Sequence, residues 1–399
     1  MKVEEAEKII LDERCDYGTE SISFDNCQGR VLAEDIYADR DMPPFNRVTM
    51  DGIAINYEAW ENGIRTFRIK ATQSAGVAPI DINSLDECVE IMTGAVLPGT
   101  TNTIIAYEET DIQNGVARIN SENVLPNQSI HFKGKDKKKG DVLVRANQFI
   151  TPAIVAVAAS TGKVQLLVKK LPKAIIISTG DELTEVNETP ADFQIRRSNN
   201  YAIQAILKDY AMHADMLHLP DDPDITAREL ERCLREYDVI LLSGGVSMGK
   251  FDYVPAALEK LQVEKLFHKV RQRPGKPFWF GKGTRGALVF AFPGNPVSTF
   301  MCVQRYFLPW LKTSLQVGVN TSYAILSTDF TFQPALQYFL QVRLHISDQG
   351  QLMATPMEGN GSGDFANLPD ADAFMELPLG RNHFSKGEAF RIWPFKQIM

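Results

Sequence analysis

The stretch ILLSGGVSMGKFDYV, Ile240 to Val254, sets four residues between Gly244 and the pair Gly249-Lys250, directly after an apolar run. That spacing is the G-x-x-x-x-G-K of a nucleotide-phosphate loop, in which the next residue is Ser or Thr because its hydroxyl ligates Mg²⁺. Here Phe251 stands in that place and Asp252 follows. The loop therefore lacks the hydroxyl of a Walker A motif. Asp252 either supplies an oxygen ligand or charge in its stead, or caps the helix that begins after it. Gly244 and Gly245 let the backbone turn sharply and aim N–H groups at an anion, at the start of a helix. The chemistry these residues suit is phosphate binding with a carboxylate close by.

Acids and bases elsewhere extend this reading. Asp181 and Glu182 follow the run KAIIIS, Asp221 and Asp222 follow ADMLHL, and Lys269, Arg271, Arg273 and Lys276 crowd into HKVRQRPGKP. Acids alone would suggest a metal and bases alone a phosphate. Together they suggest a metal-assisted site for a phosphorylated anion, the metal offsetting carboxylate repulsion while Lys and Arg hold the ligand. Pro293-Gly294-Asn295-Pro296 is a rigid strand-to-helix turn on its composition. The loops DMPPFNRVTMDG and IMTGAVLPGT read, one at a time, as ordinary turns. The six histidines show no ligand spacing, and no Ser–His–Asp arrangement can be drawn.

The elements that must position these residues follow from periodicity. Between Lys173 and Leu311 short aliphatic runs alternate with helical patterns, the sign of a parallel βαβ sheet. The predicted strands are KAIIIS, ADMLHL, DVILLS and ALVFAF, each ending in one of the loops above. In such a sheet ligands bind beyond the carboxyl ends of the strands. The predicted helices start after Ser198, with Ala202, Ile206 and Tyr210 on one face; after Pro223, with Leu230, Cys233, Leu234 and Tyr237; at Val254; and over Val297–Leu311. In LQVRLHI, Leu340, Val342, Leu344 and Ile346 alternate with polar residues, which predicts a half-buried strand in a closing all-β domain. A short helix is predicted over Glu4–Asp12, another within TPAIVAVAASTG, and β-like runs between turns from Asp41 to about Asp136.

The whole chain sets bounds. Its 399 residues suffice for two to four domains, and a net charge of −8 argues against nucleic acid as the main partner. The N-terminal sequence has no signal-peptide apolar core, and no run approaches the roughly 20 residues of a membrane helix. The five cysteines are scattered and odd in number, which fits reduced thiols in a cytoplasmic protein.

Taken in order, PPFNRVTMDG, IMTGAVLPGT, STGDEL, SGGVSMGKFDY, RPGKPFWFGK and FPGNPVSTF resemble the MoeA-type molybdopterin molybdenumtransferase family, relatives of the gephyrin C-terminal domain. The resemblance spans nearly the whole chain. It implies an extended N-terminal and linker domain (1–40 and 140–170), a β-rich inserted domain (41–139), a doubly wound α/β molybdopterin-binding domain (171–315) and a C-terminal small β-barrel (316–399). It further implies a homodimer with its active site near the subunit interface, and a molybdopterin adenylyltransferase as pathway partner. The reaction implied takes adenylylated molybdopterin and molybdate, inserts molybdenum and releases AMP, with Mg²⁺.

By motif, Asp51, Thr93, Asp136, Glu182, Asp221, Asp252, Lys269, Arg273 and Lys276 match catalytic positions, with Glu182, Asp221 and Asp252 as metal candidates. Gly244, Gly245, Ser247, Gly249, Asp252, Lys276, Pro293, Gly294, Asn295, Pro296 and Ser362 match ligand-binding positions. Departures occur at Asn46-Arg47-Val48-Thr49, where the family commonly has Asp-Asn-Ser-Ala, at His131 and at Gln341, where it has Arg. Two other readings compete: a non-catalytic scaffold of the same fold, and a P-loop NTPase. Retention of several mutually repelling acids disfavours the first, and Phe251 the second.

Overall fold

The computed structural model describes residues 1–246, 253–357, 359, 361 and 363–396. Its contacts form two compact units: Met1–Ala33, Asn147–Pro152 and Gln165–Met399 make the first, and Glu34–Ala146 with Ala153–Val164 the second.

The first unit is built on a six-stranded sheet in the order Ala214–Leu219, Ala174–Thr179, Val239–Ser243, Leu288–Phe292, Trp279–Lys282 and Glu264–His268. The first four strands run parallel, and Trp279–Lys282 runs antiparallel to both of its neighbours. Every residue of Ala174–Thr179, Val239–Ser243 and Leu288–Phe292 is buried, which is why these segments are continuous apolar runs rather than alternating ones. Ile176 and Leu241 pack on one face with Ile203, Leu207, Met301 and Trp310. Ile175, Ile177, Ile240 and Leu242 pack on the other with Leu230, Cys233 and Leu258. Helices thus cover both faces, and each fully buried aliphatic side chain stabilises the fold by about 1.5–3 kcal/mol.

Two helices differ from their sequence expectation. Asn199–Lys208 buries Asn200, Ile203, Ile206 and Leu207 rather than an Ala202–Ile206–Tyr210 face, and it ends before Tyr210. The expected helix 297–311 runs longer, as Pro296–Cys302, a π-helical turn Val303–Phe307, and Leu308–Ser314. Pro309 lacks the N–H that an α-helix would donate to residue 305, so the ladder widens just ahead of it. Helix Pro223–Glu236 meets its expectation. Leu230 and Cys233 are buried, Arg235 and Glu231 pair at 3.2 Å, and Asp222 caps the helix by accepting from the N–H groups of Asp224 and Ile225.

The C-terminal strands Ser322–Leu326, Gln337–Ile346, Leu352–Pro356, Ala373–Leu377 and Ala389–Pro394 close into a five-stranded barrel. Closure comes from the antiparallel pairing of Gln337–Ile346 with Ala373–Leu377. Leu340 and Val342 point into its core. Ile346, expected on that inner face, is 59% exposed, because the strand overruns the barrel at the hairpin where Ile346 pairs with Leu352. Arg305 is fully buried among Glu7 of the N-terminal helix Val3–Asp12, Glu376 of the barrel and the Trp393 ring, tying three segments of this unit together.

The second unit centres on a sheet ordered Thr103–Ala106, Gly52–Ile55, Glu87–Ile91, Thr66–Gln73, Val116–Ile119 and Thr110–Gln113. Gly52 is required there: a Cβ would lie 1.9 Å from the Ile105 carbonyl oxygen. All five cysteines carry free thiols. Among the described residues no helix is long and apolar enough to cross a membrane.

Candidate active site

The parallel strands of the first unit end in step, with Ser178 level with Ser243 and Ser243 level with Phe292. Their loops consequently emerge side by side, and they line a cavity of about 610 Å³. Glu182, Asp221, Gly244, Gly245, Arg273, Lys276 and the turn Pro293 to Pro296 all reach it.

Gly244 and Gly245 have φ of +100° and +68°, and a Cβ on either would lie 2.9 Å from the Thr179 hydroxyl oxygen. Only glycine fits these positions. The Gly244 N–H is held by the Phe292 carbonyl at 3.1 Å, joining the glycine loop to the neighbouring strand end. The Asn199 amide then binds the loops to each other. Its Nδ2 donates to Ser243 Oγ at 2.7 Å and the Gly294 carbonyl at 2.7 Å, and lies 3.3 Å from Thr299 Oγ1. Thr299 in turn donates to the Pro293 carbonyl at 2.6 Å.

On the acidic side, Asp181 accepts the Asp221 backbone N–H at 3.0 Å and Asp221 accepts that of Asp181 at 3.4 Å. The Glu182 carboxylate folds over Gly180, where a Cβ would collide with it. Burial, with Arg197 nearby, pushes the His218 imidazole below its ordinary pKa; its Nδ1 lies 3.0 Å from Ser178 Oγ. Opposite lie the bases. Arg273 pairs as a strand with Tyr338 and projects over the Phe332 ring, and neither Arg273 nor Lys276 forms an ion pair among the described residues. Gly275 between them is forced by packing, since a Cβ would meet Cys302 Sγ at 2.7 Å. Arg196 and Arg197 line the cavity too but are engaged, with the Glu188 carbonyl and with Glu185 respectively.

The second unit holds its own polar group. Asp51 Oδ1 accepts the Thr93 N–H at 2.6 Å, and this bond holds the Asp51 carboxyl below the usual range. Tyr107 donates to Glu90 at 2.9 Å, and burial together with Glu90 pushes its hydroxyl up to about 12. His131 lies 2.8 Å from Asp136 through Nε2 and 3.2 Å from Arg47 through Nδ1.

A model of the MoeA N-terminal region (domain I and II) matches residues 1–162, one of a probable molybdopterin binding domain matches 175–313, and one of the MoeA C-terminal region (domain IV) matches 323–395. A molybdopterin molybdenumtransferase from Synechocystis is 38% identical over 396 residues, covering 98% of this chain and 99% of that protein. The chain belongs to the MoeA family. A Staphylococcus aureus molybdopterin molybdenumtransferase is 28% identical, covering 98% of this chain and 94% of that protein. Two crystal structures of the Pyrococcus horikoshii MoeA protein match with TM-scores of 0.82 and 0.81 at 27% and 28% identity, covering 100% and 99% of this chain and 100% of each of theirs.

Against this MoeA frame, the cavity collects Glu182, Asp221, Arg273, Lys276, Gly244, Gly245, Pro293, Gly294, Asn295 and Pro296 from the sequence-based set. Lys269, which follows strand Glu264–His268 with φ of +71°, is not among the lining residues. Asp51, Thr93 and Asp136 belong to the second unit. Ser247, Gly249, Asp252 and Ser362 lie outside the described residues, so neither the cap nor the ligand role of Asp252 has a structural description. Sequence reading passed over Asn199 and Asn200, taking Ser198 only as the place where a helix begins. The signal was present as two consecutive amides at a helix start facing the strand ends.

Proposed function

We propose that the protein is a molybdopterin molybdenumtransferase, taking adenylylated molybdopterin and molybdate and releasing AMP as molybdenum enters the dithiolene. The observation that carries this is one cavity uniting a double-glycine turn, two carboxylates and two cationic side chains that form no ion pair among the described residues, in a chain 38% identical along its length to a relative named for that activity. With the Gly244 N–H held by the Phe292 carbonyl, Gly245 of the double-glycine turn offers the backbone donor to phosphate, and Arg273 and Lys276 hold molybdate and the charge that develops as AMP leaves. Asp51, Thr93 and Asp136 serve the same reaction from the β-rich domain.

Mg²⁺ fits the donor set, because Mg²⁺ binds through one or two carboxylates plus substrate phosphates rather than through an all-protein cage. Glu182 and Asp221 would hold it, with Asp252 as the third candidate, and it would offset the charge of the pyrophosphate. No group of three or more His, Cys, Asp or Glu side chains among the described residues is arranged as a metal cage. The four-domain division given above, a homodimer, a cytoplasmic location and delivery of substrate by a molybdopterin adenylyltransferase complete the reading.

The test is AMP release from adenylylated molybdopterin, with and without molybdate and Mg²⁺, for wild type and for the Asp252→Ala and Glu182→Ala variants. Molybdate-dependent release that the substitutions abolish supports the reading. Wild-type protein that binds the pterin but never releases AMP refutes it.

A further inference from the structure

Asn200 is the anomaly in the cavity wall. It sits in the first turn of helix Asn199–Lys208, on the face carrying Ile203 and Leu207, and is 2% exposed. It lines the cavity at the carboxyl ends of the strands. Yet neither its amide nitrogen nor its amide oxygen has a hydrogen-bond partner among the described residues. Buried polar groups are nearly always paired, and each one left unpaired costs of the order of 1–3 kcal/mol. Leaving both ends of one amide unpaired in the wall of a ligand-sized cavity is a cost that a bound partner would relieve.

The kind of partner follows from which atoms are orphaned. A phosphate or molybdate oxygen could satisfy the amide nitrogen, but it would leave the oxygen unpaired and face it with negative charge. The neighbouring residue shows the contrast: Asn199 spends its nitrogen on three oxygen acceptors of the surrounding loops. A primary amide with both ends free is complementary to a planar edge that presents a donor beside an acceptor. Such an edge is carried by nitrogen heterocycles, and an Asn amide binds it with two parallel hydrogen bonds.

We infer that Asn200 is a specificity residue that reads the donor–acceptor edge of a heterocyclic ring in the cavity, while the anionic part of the ligand rests on the Gly244-Gly245 turn. This rests on the molybdopterin reading given above, whose substrate offers two such edges, one on the pterin and one on the adenine. Asn200 approaches neither phosphate nor molybdate.

The experiment measures binding of three probes, AMP, 6-carboxypterin and inorganic pyrophosphate, to wild type, Asn200→Leu and Asn200→Ala, alongside thermal melts of the unliganded proteins. Asn200→Leu keeps the branched shape and removes both orphaned atoms, so its unliganded Tm rises. Its affinity for one ring probe falls roughly 10- to 100-fold, the value of a two-point amide contact, and pyrophosphate binding stays within about twofold. The ring probe that weakens identifies the edge being read. Unchanged affinity for both ring probes overturns the inference while leaving the molybdopterin reading standing. Equal loss of all three probes also overturns it, since that is a packing defect; Asn200→Ala, which adds no bulk, is the second check on that outcome. Wild-type protein that binds neither ring probe refutes the molybdopterin reading and this inference with it.

Discussion

Asn199 gives the sharpest test of how the cavity is assembled. Its single NH₂ group faces three acceptors, Ser243 Oγ, the Gly294 carbonyl and Thr299 Oγ1, that belong to a strand end, a loop and a helix. Two hydrogens cannot serve three acceptors at full strength, so the group makes two good bonds and one weaker contact. At about 1 kcal/mol net for each good bond, Asn199→Ala destabilises the first unit by about 2 kcal/mol, or roughly 3–4 °C in Tm for a unit of this size. Asn199→Asp separates this account from a general packing loss. Aspartate has the same shape, but it turns an acceptor toward the Gly294 carbonyl, which cannot donate, whereas the Ser243 hydroxyl can rotate to donate to it and the Thr299 hydroxyl stays on the Pro293 carbonyl. At pH 7 the Asp variant is therefore less stable than the Ala variant, and the gap closes as pH falls through the usual carboxylate range and a proton returns a donor. Urea denaturation of both variants at pH 7 and pH 4 measures this, with the KM for adenylylated molybdopterin rising in both as the Pro293–Pro296 turn loses its anchor. An Asp variant as stable as wild type at pH 7 would show that the amide does not hold the Gly294 carbonyl, and the account of the loops would fail.

Four further outcomes follow from other parts of the molecule. Gly52→Ala puts a Cβ 1.9 Å from the Ile105 carbonyl oxygen, so the second unit loses about 3 kcal/mol or more, read as faster hydrogen exchange across residues 34–146. Arg305→Met leaves Glu376 and Glu7 facing an apolar side chain and costs about 3–5 kcal/mol; Arg305→Met with Glu376→Gln recovers part of this, and an unaltered melting curve for the single variant refutes the buried ion pair. His218 has a folded-state pKa below its ordinary value, so on unfolding it takes up a proton, and stability falls as pH drops below about 6.5. His218→Gln flattens that limb of the stability–pH curve, and an unchanged slope contradicts the assignment. Asp51→Asn keeps an oxygen for the Thr93 N–H while removing the charge; it leaves folding intact and slows molybdate-dependent AMP release by about 100-fold if the charge serves the reaction. Wild-type turnover in that variant confines Asp51 to shaping the loop.

What the sequence disclosed and what it withheld divide along one physical line. The central strands were legible because both faces of Ala174–Thr179, Val239–Ser243 and Leu288–Phe292 are buried, and continuous aliphatic runs admit few other readings. The loops were legible because glycine and proline there answer to backbone geometry, as the positive φ of Gly244 and Gly245 shows. Properties that depend on a neighbour distant in sequence were not legible. Ile346 continues a perfect alternation yet is exposed, because the barrel ends before the strand does. The buried face of Asn199–Lys208 is rotated from the expected one, because the sheet face it packs on, not its own periodicity, selects Ile203 and Leu207. Asn199 and Asn200 are the extreme case. They are adjacent and identical in type, yet one spends its amide nitrogen on the surrounding strand end, loop and helix, and the other pairs neither end of its amide among the described residues. No one-dimensional pattern separates them; only the strand ends around them do. For this reason Asn199→Ala and Asn200→Leu have opposite effects on the unliganded fold. The first lowers Tm because it removes bonds that exist, and the second raises it because it removes groups that have none. Finding both variants shifted in the same direction would mean that the two amides share one environment, and the distinction drawn between anchor and reader would be wrong.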